Sequence, residues 1–235
     1  MNYISTIPPE IEEYTFSELS PEAQQHAIEK WCETAGEHMD YEWWDCTYDS
    51  FKAVATMMGY DISNMYFSGF WCQGDGACFE GGWSPPVNPY EMLCKVLDEY
   101  PKWEEIHEIA LTLAECADAL EDMWVSCTLT HSGRYCHENT VSIDVSIDFP
   151  EDYDDWDIAK QSAHRAIWMA RGLPDPDDPL DTCGWSDVLH ETSKSLMRIL
   201  YRMLEEDYEY QTGEEEARYR LSDGDDLFDA EGDMV

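Results

Sequence analysis

The stretch Val141-Ser142-Ile143-Asp144-Val145-Ser146-Ile147-Asp148 alternates apolar and polar residues without a break. Side chains of a β-strand point to opposite faces at each step. The pattern therefore predicts a strand with Val141, Ile143, Val145 and Ile147 turned into a core and an outer row carrying Asp144 and Asp148. A strand buried on one face only belongs to an antiparallel sheet. Just upstream, Met123–His131 has strand composition and Ser132-Gly133 offers a turn, so it is expected to pair with a strand from about Tyr135 to Phe149. A second hairpin is expected from Met65–Trp71 and Ala77–Trp83, joined by Gln73-Gly74-Asp75-Gly76, where Asp-Gly favours positive φ.

Helical spacing fills the intervals. Ser20-Pro21-Glu22 reads as an N-cap with proline in the first turn, opening a helix to about Ala35. Further helices are predicted over Tyr41–Met58, stopped by Gly59, and over Pro89–Glu99, Trp103–Asp122, Asp157–Arg171 and Ser186–Tyr210, with a Pro/Asp loop at Leu173–Asp181. The expected fold is α+β, an antiparallel sheet covered by helices in the order ααββααββαα. It is expected as a single domain over residues 1–211, followed by an acidic, weakly ordered C-terminal tail over 212–235.

The 235 residues are 43 % apolar and 13 % aromatic, enough for a sizeable core. The charge balance is the outlier: 13 Lys and Arg against 52 Asp and Glu, a net charge of −39. Direct binding to nucleic acid or to an anionic membrane needs a basic footprint and is excluded as the main activity. A folded chain of this mass exposes about 11,000 Å², or one net negative charge per about 280 Å². Duplex DNA carries one per about 110 Å² of its envelope. Acids gathered on part of the surface would approach the density of DNA, so their distribution decides the reading. They do gather, in Asp144 and Asp148 with Glu151, Asp152, Asp154, Asp155 and Asp157, in Asp175, Asp177, Asp178 and Asp181, and in Glu205, Glu206, Asp207, Glu209, Glu214, Glu215 and Glu216. These are the candidate partner-binding residues.

The N-terminal stretch lacks a basic n-region followed by an apolar one, and no run reaches the length of a membrane span, so a cytosolic protein is expected. The nine cysteines are scattered with no Cys-x-x-Cys, which in that compartment reads mostly as buried thiols serving as small apolar residues.

Other chemistries find less support. Gln73-Gly74-Asp75-Gly76 is followed by a strand-like segment rather than a helix, unlike a phosphate loop. Cys127, His131, Cys136 and His137 have the wrong spacing for a zinc ribbon or finger. Asp223-Gly224-Asp225-Asp226 lacks the remaining ligands of a calcium loop. No nucleophile elbow is present, and tryptophans without a basic groove read as core rather than as a base-stacking platform. No catalytic residue, cofactor or metal ligand is assigned.

The string Tyr66-Phe67-Ser68-Gly69-Phe70-Trp71-Cys72-Gln73-Gly74-Asp75-Gly76-Ala77-Cys78-Phe79-Glu80-Gly81, with Tyr14–Ala23, Asp40–Asp45 and Ile199–Tyr210, resembles a family of small phage and prophage proteins. The resemblance implies a phage-borne accessory protein acting in the cytoplasm of a bacterial host, without an established family-wide activity. In composition alone, the acidity is similar to that of phage anti-restriction and anti-CRISPR proteins that imitate DNA. The reading that results is a non-enzymatic inhibitor occupying the DNA-binding site of a host defence or DNA-processing protein. The partner is then a basic DNA-binding protein or nucleoprotein complex of the bacterial host, with no direct nucleic-acid or membrane contact; a homodimer is left open. Its rivals are an antitoxin-like or assembly protein neutralising a basic partner without copying DNA, and a small hydrolase whose site is not legible. Acidity serving only solubility at high salt fits the many cysteines and tryptophans poorly.

Overall fold

The computed structural model describes residues 12–39, 42–121, 123–148, 157–162 and 184–235. The fold is α+β, and the chain divides into two compact units: one contiguous, Asp45–Leu204, and one assembled from Met1–Trp44 and Glu205–Val235. This differs from the expected single domain.

The contiguous unit is built on four antiparallel strands, β2 (Tyr60–Phe67), β3 (Ala77–Trp83), β4 (Trp124–His131) and β5 (Val141–Asp148), in the order β2-β3-β4-β5. Tyr60, Trp83, Cys127 and Val145 stand in one row across the sheet, and Ile62, Gly81, Leu129 and Ile143 in the next row on the same face. The alternation in β5 sets its faces as expected: Val141 and Ile143 are buried, Val145 and Ile147 are half-buried, and Asp144 and Asp148 are exposed. β5 starts at Val141 rather than near Tyr135, because a short 3-10 turn at Glu138–Thr140 intervenes.

The first hairpin also differs from expectation. β2 begins at Tyr60, and a bulge between Ile62 and Asn64 interrupts its alternation, which hides the strand from a period-two reading. In the loop, positive φ falls at Gly69 (+115°) and Gly74 (+96°) and not at Gly76. The loop is organised by Asp75, whose Oδ2 accepts the backbone N–H groups of Trp71 (2.9 Å) and Cys72 (2.6 Å).

Helices α2 (Asp45–Met57), α3 (Pro89–Glu99), α4 (Glu104–Ala119) and α5 (Gly184–Gln211, as far as Leu204) supply the rest of this unit's core. Phe51 of α2 and Tyr60 both lie against Phe79, at 5.6 and 5.9 Å between ring centres. The buried Trp83 donates Nε1–H to the Met58 carbonyl at 2.9 Å. Tyr60 Oη and Ser193 Oγ, both buried, share a hydrogen bond of 2.9 Å that joins β2 to α5. Residues 158–162 are helical; 163–171 of that expected helix and the Leu173–Asp181 loop lie outside the described residues.

In the second unit α1 (Pro21–His38) starts as the sequence suggests, with Ser20 Oγ accepting the Ala23 N–H at 3.2 Å. The segment expected to be a loose tail is ordered instead. It forms α6 (Glu214–Asp223) and β6 (Leu227–Phe228), and β6 pairs with β1 (Tyr14–Thr15). Ala217, Leu221 and Phe228 are buried with Phe16, Leu19, Ala23, Ala27 and Ile28 in one cluster. Apolar residues are few in this segment, but those three are spaced to reach one core. Asp233 then ties the end of the chain to α1, accepting from Lys30 and His26.

Candidate functional site

On β5 the exposed row is Ser142, Asp144, Ser146, Asp148, and each serine donates to the next aspartate, at 3.2 and 2.8 Å. Four residues of strand place Asp144 and Asp148 roughly 13 Å apart. One strand of DNA carries a charge about every 3.4 Å along the axis. β5 alone is therefore no phosphate track. Of the residues that would thicken it, Glu151, Asp152, Asp154 and Asp155 lie outside the described residues, as do Asp175, Asp177, Asp178 and Asp181. Asp157 is exposed, and its Oδ1 accepts the Lys160 N–H at 2.8 Å, an N-cap contact that gives it a structural role.

The third cluster sits where α5 ends and α6 begins, in the second unit. Its acids divide by what the helices do with them. Glu214, Glu215 and Glu216 occupy the first turn of α6, where the positive end of the helix dipole welcomes them. Glu216 also pairs with Arg220 at 2.7 Å. Half-buried Asp207 accepts from Gln211 Nε2 at 3.0 Å. Glu205, Glu206 and Glu209 are exposed. Glu209 lies in the last turn of α5, which holds no basic residue, and Glu205 lies one turn before it. Both the dipole and the i,i+4 like-charge pair oppose these positions.

Several of the basic side chains are drawn into ion pairs: Lys95 with Glu91 (3.0 Å), Lys194 with Glu191 (3.9 Å), Arg198 with Glu138 (3.5 Å), Arg202 with Glu105, and Lys30 with Asp233. With 14,688 Å² of accessible surface and a net charge of −39, the chain carries one net negative charge per about 380 Å². That is sparser than the size scaling suggested, so any likeness to DNA rests on local clusters and not on the average.

A polar network on the sheet was not legible in the sequence. Glu80 accepts from Tyr66 Oη (2.7 Å), from Asn64 Nδ2 (3.2 Å) and from the His131 backbone N–H (3.1 Å), and the His131 ring stacks on Tyr66 at 4.5 Å. The Tyr66 hydroxyl, helped by Asn64, holds the Glu80 carboxyl below its usual range, and Glu80 in turn pushes Tyr66 up. A carboxylate supplied with three donors is a satisfied acceptor, and its role here is to fix the strand register. The residues weighed for zinc are not brought together: Cys127 is buried in the sheet, His131 Nε2 meets the Tyr135 carbonyl, and His137 Nδ1 accepts from Asn139 N–H. Among the described residues no group of three or more His, Cys, Asp or Glu could hold a metal ion. No helix among them is long and apolar enough to cross a membrane.

The charge imbalance has a measurable consequence. Raising ionic strength from about 0.01 M to about 1 M shortens the screening length from about 30 to about 3 Å, so the melting temperature is expected to rise with salt. Acid acts in two stages. Weaker net repulsion should raise the melting temperature between pH 7 and about 5. Glu18 (held by Thr15), Glu80 (by Tyr66) and Asp233 (by Lys30, then His26) have folded pKa values below their ordinary ones. Their contribution is present above the unfolded pKa and is lost as pH falls through the folded value, so stability should drop below about pH 4. A melting temperature that falls steadily from pH 7, with no gain from salt, would show that the acids are well compensated.

No curated protein and no solved structure matches the chain. A family model does match, over residues 43–214. The matched region takes in the contiguous unit and leaves out α1, β1, β6 and nearly all of α6. By that match the chain belongs to the family described as a domain of unknown function, DUF8835.

Proposed function

We propose that the protein is a non-enzymatic acidic inhibitor that occupies the DNA-binding site of a bacterial host protein, presenting carboxylates where that protein expects phosphates. The observation that carries this reading is the acid pair Glu205 and Glu209 on the last two turns of α5, exposed where helix electrostatics disfavours them. Acids kept at a cost to the fold need a use outside it. The exposed Asp144 and Asp148 on β5 add to the same chemistry, and the likeness of the Tyr66–Gly81 string to phage proteins supports a phage-borne setting. The partner's lysines and arginines would engage these carboxylates as they engage DNA, with fast, salt-sensitive association. Host defence complexes of the restriction and CRISPR type, and DNA-processing proteins, have the required basic clefts.

The test is competition. The immobilised protein, presented with bacterial lysate, is expected to retain a DNA-binding protein that duplex DNA releases in proportion to its concentration and that salt also releases. Because protein carboxylates lack DNA's condensed counterions, the fall of affinity with salt should be shallower than for DNA itself. A retained partner that still binds DNA in a ternary complex would overturn mimicry in favour of neutralisation of a basic partner.

A further inference from the structure

The outer face of the β4–β5 hairpin is open to solvent. Trp124, Ser126 and Thr128 are exposed on β4, opposite the exposed Asp148, Ser146 and Asp144 of β5. Trp124 is 69 % exposed, against the core role expected of the tryptophans. An indole left in water on a polar face is a ready anchor for a partner. Its cross-strand neighbour is Asp148, which sets a π face and a carboxylate about 5 Å apart at their Cβ atoms. The serines on β5 hold one oxygen of each aspartate, Oδ2, and Oδ1 of each has no hydrogen-bond partner among the described residues. None of the four strands contains Lys or Arg, so the sheet itself supplies no cation to either carboxylate.

The spacing says what fits this face. At roughly 13 Å the two aspartates are too far apart to share a metal ion. They are also too far apart for residues i and i+4 of a helix, which lie about 6 Å from one another. Residues i and i+4 of an extended chain match, and their side chains point the same way. Arginine suits the Trp124 end better than lysine, because its planar guanidinium stacks on an indole while its edge donates to a carboxylate.

We propose that the outer face of the β4–β5 hairpin binds an extended, arginine-bearing segment of a basic protein partner. One guanidinium lies on the Trp124 indole and pairs with Asp148; a second, four residues along the segment, pairs with Asp144. This deepens the proposed function and rests on it for the partner's basic charge, but it assigns recognition here to side-chain spacing and not to imitation of phosphates.

The probes are two labelled heptapeptides of one composition, Gly-Arg-Thr-Val-Thr-Arg-Gly and Gly-Thr-Arg-Arg-Val-Thr-Gly, titrated with the full chain and followed by fluorescence anisotropy. In about 0.15 M salt, where distant charges are screened within about 8 Å, the spaced peptide is expected to bind about fivefold more tightly or better. Trp124→Ala should weaken it about tenfold and remove the preference. Asp148→Asn should weaken it about fivefold, whereas Asp98→Asn, the same charge change at the end of α3, should leave it within twofold. Trp124 is exposed, so its variant should fold; Trp124→Leu gives the same comparison if the alanine variant does not. Equal binding of the two peptides, no binding of either, or a preference that survives both Trp124 variants would overturn the inference. Either result stands apart from the lysate competition with duplex DNA, which tests the proposed function without these peptides.

Discussion

Changing Glu205 and Glu209 together to lysine should weaken binding to the DNA-competed partner by about 30-fold while raising the melting temperature by about 2–4 °C. The two effects share one cause of opposite sign. In the free protein the substitutions replace charges that the dipole opposes at a helix C-terminus by charges that it favours, in a chain whose net charge is strongly negative. In the complex they place two cations against the partner's basic cleft, and each reversal removes an attraction and adds a repulsion. Asp98 and Glu99, exposed at the end of α3 in the other unit, are the matched control. Asp98→Lys with Glu99→Lys should raise the melting temperature by a similar amount and leave binding within about threefold, the difference set by net charge alone. Equal losses at the two sites would mean that the partner responds to polyanions in general, and DNA mimicry would fail.

The largest single-residue effect on stability is expected at Trp83. Its side chain is 1 % exposed, stands in one row with Tyr60 and Cys127, and bonds to the Met58 carbonyl at the end of α2. Trp83→Ala removes that volume and leaves the carbonyl without its donor, at a cost of about 3–5 kcal/mol. Trp83→Phe keeps much of the hydrocarbon and loses the donor, for about 1–2 kcal/mol. Urea unfolding of both variants, with an unchanged denaturant slope, measures these values. A loss below about 1 kcal/mol for the alanine variant would contradict the packing of β3 on α2.

The sequence speaks most clearly where local chemistry and tertiary packing coincide. Val141–Asp148 alternates because β5 has one covered face, and Ser20-Pro21 marks a helix start because the cap bond spans only three residues. It speaks less where a distant partner decides. The bulge at Ile62–Asn64 broke the alternation that would have revealed β2. Ala217, Leu221 and Phe228 were too sparse to announce a core until α1 and Phe16 stood beside them. The Glu80 network depends on cross-strand register, and the close approach of Gly76 to the Cys136 carbonyl on a loop that closes from far along the chain. Clustered acids were visible from composition; that Glu214–Glu216 serve α6 while Glu205 and Glu209 strain α5 required knowing where each helix begins and ends.

The pairing of Tyr14–Thr15 with Leu227–Phe228 has a bearing on synthesis. Translation proceeds at about 5–20 residues per second, so α1 leaves the ribosome about 10–40 s before the residues that cover its apolar stripe. Throughout that interval Ala23, Ala27 and Ile28 have no Leu221 or Phe228 to bury them, while all of Asp45–Leu204 is made in between. The contiguous unit can fold first; the discontinuous one must wait for the final stretch. A stop codon in place of Asp226 would remove Phe228 and β6 but keep Ala217 and Leu221, so the early helix would stay only partly covered, and the penalty would appear as aggregation of new chains.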